Sequence, residues 1–308
     1  MHKTVLLRES VENLKLKPGM VVVDATLGAG GHSKLISEKI GEKGLLIGLD
    51  LDQKAINEFK EKINKEKIKT KVFLFKENFV DIPKILKELK IEKVDAIIAD
   101  LGWRIEQVKN KEYGMSFQVD APLDMRLGRD GKLTARIIVN LRKEKELAEI
   151  FFKYGEEKNS RRIANAIIDY RKNKKIETTK ELEKIVIESS RVKKGYFNPA
   201  TRVFQALRIV VNNELKNLEI FLENSTEILK PGGRIAVISF HSLEDRIVKR
   251  FFRANTGGCI CPKELPVCVC SQEQKLKIIN SKPITASREE LEENIRSRSA
   301  KLRVAEKF

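Results

Sequence analysis

The chain has 308 residues, 41% of them hydrophobic, which is enough for one large or two modest cored domains. Lysine and arginine number 61 against 44 aspartates and glutamates, a net charge of +17; the excess favours a polyanionic partner such as nucleic acid, or marks a lysine-rich composition of AT-biased or thermophilic type. No apolar run approaches membrane-spanning length, and the opening M-H-K-T-V-L-L-R-E lacks the apolar stretch of a signal peptide, so the expectation is no membrane and a cytoplasmic location.

In chain order, the first strand is expected at residues 20–24, running straight into D-A-T-L-G-A-G-G-H-S at 24–33. Glycines there permit positive φ and close approach of a ligand to the backbone. A helix starting near Ser33 adds free N–H groups and a positive dipole end. The next apolar run, 45–49, ends in Asp50, where a carboxylate can accept both hydroxyls of a ribose. Strand, glycine turn, helix, strand, acid is the pattern of a nucleoside-cofactor half-site. The dinucleotide fingerprint wants G-x-G-x-x-G, but Gly28, Gly30 and Gly31 supply G-x-G-G-H, without the third helix-packing glycine. With Asp24 in the turn, the pattern favours a cationic, phosphate-free ligand such as S-adenosylmethionine over a dinucleotide.

Further strands are predicted at 72–75 and 94–101, with helical spacing at 33–40, 53–63 and 82–89 between them. Such alternation implies a parallel sheet covered on both faces. From about 105 to 211 no convincing strand occurs. Helical spacing covers 144–154, 160–172 and 178–188, the last capped by Thr178–Thr179 ahead of Glu181. Strand pattern returns at 234–240 after the stop signal Pro231-Gly232-Gly233, and 275–279 and 301–305 could add edge strands. The economical reading is an α/β domain interrupted after its fourth strand by a helical insertion that overhangs the ligand edge. Lysine–glutamate runs such as 60–71 read as solvated faces.

Several residues have competing readings. His241, with Glu244 and Asp245, could form an acid/base group at a strand end; equally, Ser242 could cap the next helix, with the two acids near its positive end. Arg161, Arg162, Arg202 and Arg208 could grip phosphates or pair with glutamates; Arg202, where N-P-A-T-R begins a helix, is the preferred phosphate or structural anchor. Cys259-x-Cys261 and Cys268-x-Cys270 depart from the C-x-x-C spacing of zinc ribbons, so no metal ligand is assigned.

Four ordered segments carry a resemblance. They are H-K-T-V-L-L-R-E-S with D-A-T-L-G-A-G-G-H-S; A-D-L-G-W-R-I-E-Q-V with M-S-F-Q-V-D-A-P-L-D-M-R-L; Y-G-E-E-K-N-S-R-R-I-A-N-A-I with N-P-A-T-R-V-F-Q-A-L-R-I-V-V-N-N-E-L; and L-K-P-G-G-R-I-A-V-I-S-F-H-S-L-E-D-R-I-V-K with N-I-R-S-R-S-A-K-L-R. Over essentially the whole chain these resemble the bacterial RsmH (MraW) family. The resemblance implies a Rossmann-like class I methyltransferase sheet with an inserted helical domain. It divides the chain into a discontinuous cofactor domain, 1–107 with 212–308, and a helical domain at 108–211 that would take the RNA. It implies S-adenosyl-L-methionine as cofactor and transfer to the exocyclic N4 amine of a cytidine in 16S RNA of an assembled or partly assembled small ribosomal subunit. Gly30, Gly31, His32, Asp50, Phe79, Asp100 and Gln107 fall on the family's cofactor positions. Phe79 and Gln107 rest on the resemblance alone.

The chain departs from the family where D-L-G-V-S-S-x-Q-L-D becomes D-L-G-W-R-I-E-Q-V-K, F-S-F becomes M-S-F and H-P-A-T-R becomes N-P-A-T-R. By analogy with amine methyltransferases of other families, Asp100 would orient the amine and Trp103 would stack on an extruded base, unless Trp103 simply packs as core. Amine methylation of another RNA or of DNA, and a non-catalytic ribosome-assembly factor, remain the alternative functions.

Overall fold

The computed structural model describes residues 3–104, 110–127, 131–190, 198–257 and 273–308. Gln107 and the four cysteines lie outside the described residues. The chain divides into two compact units, Met1–Gly102 with Leu215–Phe308, and Trp103–Glu214.

The first unit is built on a seven-stranded sheet in the order β3-β2-β1-β4-β5-β7-β6. The strands are β1 (Val21–Asp24), β2 (Leu45–Leu49), β3 (Lys71–Phe75), β4 (Val94–Asp100), β5 (Leu229–Ser239), β6 (Leu276–Ile278) and β7 (Lys301–Lys307). β1 to β5 run parallel, and β7 is antiparallel to both β5 and β6. This is the Rossmann-like class I methyltransferase sheet. Its strands read as continuous apolar runs because helices cover both faces.

Successive strand residues point to opposite faces, which sorts the core. On one face Val23, Ile47, Ile97 and Val237 pack with Ile85, Phe221 and Phe252. On the other, Val22, Leu46, Ile98 and Ile238 pack with Val11, Ile36 and Phe59. The covering helices in chain order are α1 (Leu7–Asn13), α2 (Gly31–Ile40), α3 (Gln53–Lys65) and α4 (Ile82–Glu88).

The second unit holds α5 (Ala135–Leu141), α6 (Glu144–Gly155), α7 (Ser160–Asn173), α8 (Thr179–Ser189) and α9 (Ala200–Asn212). Its core includes Phe151, Ile163, Ile167, Leu182, Val186 and Leu207. A Cβ on Gly155 would lie 2.5 Å from the Arg202 carbonyl, so α6 and α9 meet where only glycine fits. Thr178 caps α8 in a reciprocal box with Glu181, as the sequence suggests. After α10 (Glu214–Ile228) the chain completes the sheet, adding α11 (Ser242–Ala254) and α12 (Arg288–Glu293).

Two expectations need correction. Pro231-Gly232-Gly233 does not precede β5 but lies inside it. Leu229 pairs with Val94 and Arg234 with Ala96, so the intervening residues bulge out of register. The bulge tolerates a proline that regular pairing would not. The cap of α11 is His241, not Ser242: its extended backbone precedes the first helical turn, and Glu244 reciprocates on the His241 N–H.

The N-terminal segment crosses the start of α2. A Cβ on Gly31 would lie 1.8 Å from Thr4 Oγ1. Gly31→Ala should therefore lower stability by about 1–3 kcal/mol through overpacking. A thermal melt should show a fall of several degrees, partly restored by Thr4→Ala; an unchanged melt would contradict the close approach.

Candidate cofactor and active site

The strand order reverses between β1 and β4, which opens a crevice beyond their carboxyl ends. Backbone bonds pin the loops that leave this edge. Ala25 N–H donates to the Ile98 carbonyl at 2.8 Å, Leu27 N–H to Leu49 at 2.7 Å and Asp50 N–H to Phe75 at 3.2 Å. The Asp100 N–H donates to Thr26 Oγ1 at 2.6 Å, tying the first loop to β4.

The glycine turn is shaped by its own acids. Gly28 and Gly30 have φ of +54° and +72°, where side-chain residues are strained. Asp50 accepts the Gly28 N–H and the Asp52 N–H, both at 2.8 Å, through different oxygens. Asp24 is buried; it accepts the Ser33 hydroxyl at 2.6 Å and the Thr26 N–H at 3.2 Å. Asp100 Oδ1 accepts the Gly102 N–H at 2.9 Å. A Cβ on Gly102 would sit 2.8 Å from that oxygen and from the Phe240 ring, so glycine is required there.

Two of these carboxyls, Asp24 and Asp100, are held against their own ionisation. Burial pushes Asp100 up to about 7, with Asp24 and Glu244 adding repulsion against the Gly102 bond. Burial likewise pushes Asp24 up to about 6, opposed by its Ser33 and Thr26 bonds and aided by Asp50. Desolvation pushes His32 down to about 4, leaving the ring neutral. It bonds the Val5 backbone, while its buried Nε2 has no hydrogen-bond partner.

The structure brings Gly30, Gly31, His32, Asp50, Phe79 and Asp100 to one edge of the first unit. Gly30 caps α2, and Gly31 and His32 open it. Phe79 begins a single 3-10 turn after β3 and meets Phe221 edge-on at 5.0 Å between ring centroids. Asp24 and Glu244, which the sequence offers as the turn's acid and as part of an acid/base group, join them, and so does Thr26, to which the sequence gives no site role. Asp24 and Glu244 are visible in the sequence, in the turn and beside His241, whereas Thr26 acts through a contact that no spacing announces. His241 sits at the carboxyl end of β5, its Nε2 buried 3.2 Å from Glu244 Oε1.

Trp103 belongs to the second unit, where it packs against the helical core. The Arg208 guanidinium lies 4.5 Å from its ring centroid and forms a two-pronged pair with Glu214 at 2.9 and 3.0 Å. Arg202 lies 3.7 Å from the buried Glu157 carboxylate, while Arg161 and Arg162 are exposed at the start of α7.

Residues 1–308 match the MraW methylase family. The chain belongs to that family. It is 49% identical over 309 residues to the ribosomal RNA small subunit methyltransferase H of Acetivibrio thermocellus, covering 100% of this chain and 99% of that one. The protein of the same name from Caldicellulosiruptor saccharolyticus is 48% identical over 307 residues, with 100% and 99% covered. That from Clostridioides difficile is 46% identical over 310 residues, again covering 100% and 99%.

The family's methyl donor is S-adenosyl-L-methionine. The residues present fit a ligand with a nucleoside and a cationic centre. Asp50 offers acceptors at a strand end, glycines line the turn, and the repulsion among Asp24, Asp50 and Asp100 is relieved by positive charge.

The raised Asp100 has a stability consequence. An unfolded Asp100 ionises near 3.8 and the folded one near 7. Between those values the folded state holds the extra proton, so stability falls as pH rises. Asp100→Asn should thus be more stable than the parent at pH 8 by roughly 2–4 kcal/mol, the lower end being expected because the residue keeps an edge in solvent. The difference should vanish near pH 4; denaturant titrations showing equal stability at pH 8 would contradict the buried charge.

Trp103→Ala should lower the melting temperature by several degrees, because truncating a large core-facing ring costs about 2–4 kcal/mol. An unchanged melt with turnover on RNA lost would instead assign Trp103 to base stacking.

Proposed function

We propose that this methylase transfers a methyl group from S-adenosyl-L-methionine to the exocyclic N4 amine of a cytidine in 16S RNA of the small ribosomal subunit. The observation that carries the reading is full-length identity of 46–49% to relatives named ribosomal RNA small subunit methyltransferase H. The cytidine amine rests on the motif resemblance. The substrate would be an assembled or partly assembled subunit, met in the cytoplasm.

The donor, when bound, supplies a methyl on a positively charged sulfur, already an activated electrophile. Asp50 would accept the ribose hydroxyls, Phe79 would lie beside the adenine, and Gly30, Gly31 and His32 would line the turn. Gln107 would add a further contact. The second unit, with Arg161 and Arg162 exposed, would hold the RNA.

The harder partner is the amine, whose lone pair is delocalised into the ring. Positioning it in line with the departing sulfur accounts for much of the acceleration, as much as about 7–11 kcal/mol in favourable systems. Asp100 would accept a hydrogen bond from the amine and take its proton as the new N–C bond forms. A carboxyl held at about 7 is suited to that task near neutral pH. His241 stands at the same edge and is a candidate for the substrate side.

Nucleoside mass spectrometry of small-subunit RNA is the test. N4-methylcytidine should disappear when the gene is deleted and return on complementation with the parent gene. Complementation with Asp100→Asn should restore little of it, since losing a proton acceptor lowers turnover by about 10²–10⁴-fold. Unchanged N4-methylcytidine after deletion would refute the assigned reaction, and full restoration by Asp100→Asn would remove Asp100 from the chemistry.

A further inference from the structure

The first unit carries a row of cations on α11 that the methyl-transfer site leaves unused. The helix begins at His241, at the carboxyl end of β5, and runs away from the cofactor edge. Its buried residues include Leu243, Val248 and Phe252, with Ile247 and Phe251 packed beside them. Arg246, Lys249, Arg250 and Arg253 follow at three- and four-residue spacing, which at 3.6 residues per turn gathers them on the opposite face. Arg246, Arg250 and Arg253 are exposed and Lys249 partly so.

The acids of this helix are confined to its first turn. Glu244 is buried and bonds back to the Phe240 N–H, while Asp245 is held by Arg303 at 2.6 Å and Lys301 at 3.4 Å. From Arg246 onward α11 contains no acid. Among the described residues no acid pairs with Lys249, Arg250 or Arg253.

On several other surface helices acids lie among the cations, as Glu58 and Glu61 do among the lysines of α3. Lys180 pairs with Glu183 on α8, Lys172 with Asp169 on α7 and Lys34 of α2 with Glu66. A cation in the last turn answers the helix dipole, which accounts for Arg253 but not for Lys249 or Arg250 in mid-helix.

We infer that this face of α11 is a second RNA-binding surface, gripping the phosphate backbone of the RNA whose base enters the methyl-transfer site. The inference rests on the substrate reading above. Lys249, Arg250 and Arg253 span about 6 Å of helix axis, the length of roughly two consecutive phosphates. The helix buries its apolar face in the sheet, so it offers nothing to insert into a bilayer. The chemistry of the face is therefore that of a polyanion track. Contacts of this kind fix orientation and register without reading sequence.

The test compares four proteins binding purified small ribosomal subunits over a range of salt. They are the parent, the triple variant Lys249→Gln/Arg250→Gln/Arg253→Gln, its charge-preserving counterpart Lys249→Arg/Arg250→Lys/Arg253→Lys, and a control, Lys60→Gln/Lys65→Gln/Lys87→Gln, that removes the same charge from α3 and α4. The α11 glutamine variant should bind about 10-fold or more weakly and lose about 2–3 units of the log–log salt slope. The charge-preserving variant should bind like the parent. All four should keep the parent's melting temperature and affinity for S-adenosyl-L-methionine. If the glutamine variant binds with the parent's affinity and slope, or weakens no more than the α3/α4 control, the α11 surface is wrong while the substrate reading stands. If the parent itself fails to bind small subunits, the substrate reading falls and the surface falls with it.

Discussion

Three neighbouring parallel strands, β2, β1 and β4, each deliver an aspartate to the same edge of the sheet. The register leaves no freedom in this. β1 pairs Asp24 with Gly48 on one side and Ile98 on the other, so Asp50 and Asp100 emerge just beyond it. Burial there opposes the ionisation of Asp24 and Asp100, with Asp50 raising the first further and Asp24 and Glu244 the second. The edge is therefore unfavourable by itself near neutral pH and becomes favourable when a cation arrives. Stability given up in the ligand-free protein and affinity for a positively charged donor have one electrostatic origin.

Much of the first unit serves to hold that edge still. The Thr26 hydroxyl links the first loop to Asp100, and Asp50 holds both its own turn and the glycine turn. The N-terminal segment closes over the start of α2 through Thr4 and Val5. It is fastened in turn by Glu290, which accepts the Leu6 N–H at 2.9 Å, and by the Asn294 amide on the Lys3 carbonyl at 3.1 Å. Residues nearly 300 positions apart thus share one small region around the glycine turn.

The second unit has its own core and its own polar fastening, in which Trp103, Arg208 and Glu214 form a stacked and ion-paired group. Trp103 adds an aromatic ring there, with the Arg208 guanidinium placed over it. A guanidinium over an indole contributes about 0.5–2 kcal/mol, depending on desolvation.

The sequence by itself determined the strand–helix alternation, the glycine turn and the acid at the end of the second strand, because these are local signals of period, turn chemistry and spacing. Motif order adds Phe79 and Asp100 only as positions that the family resemblance implies. The sequence reading missed α1, α5, α10 and α12, which are short or blend into neighbouring patterns, and it took Pro231-Gly232-Gly233 for a boundary because a bulge depends on the partner strand. Only the tertiary structure decided that Asp24 and Asp100 are held near neutral pKa values, since desolvation exists only once the sheet is closed around them. The same holds for Gly31, whose necessity comes from Thr4 lying across it, and for the cations of α11. Their spacing is plain in the sequence, but whether acids elsewhere in the chain neutralise them is settled only by where folding places those acids.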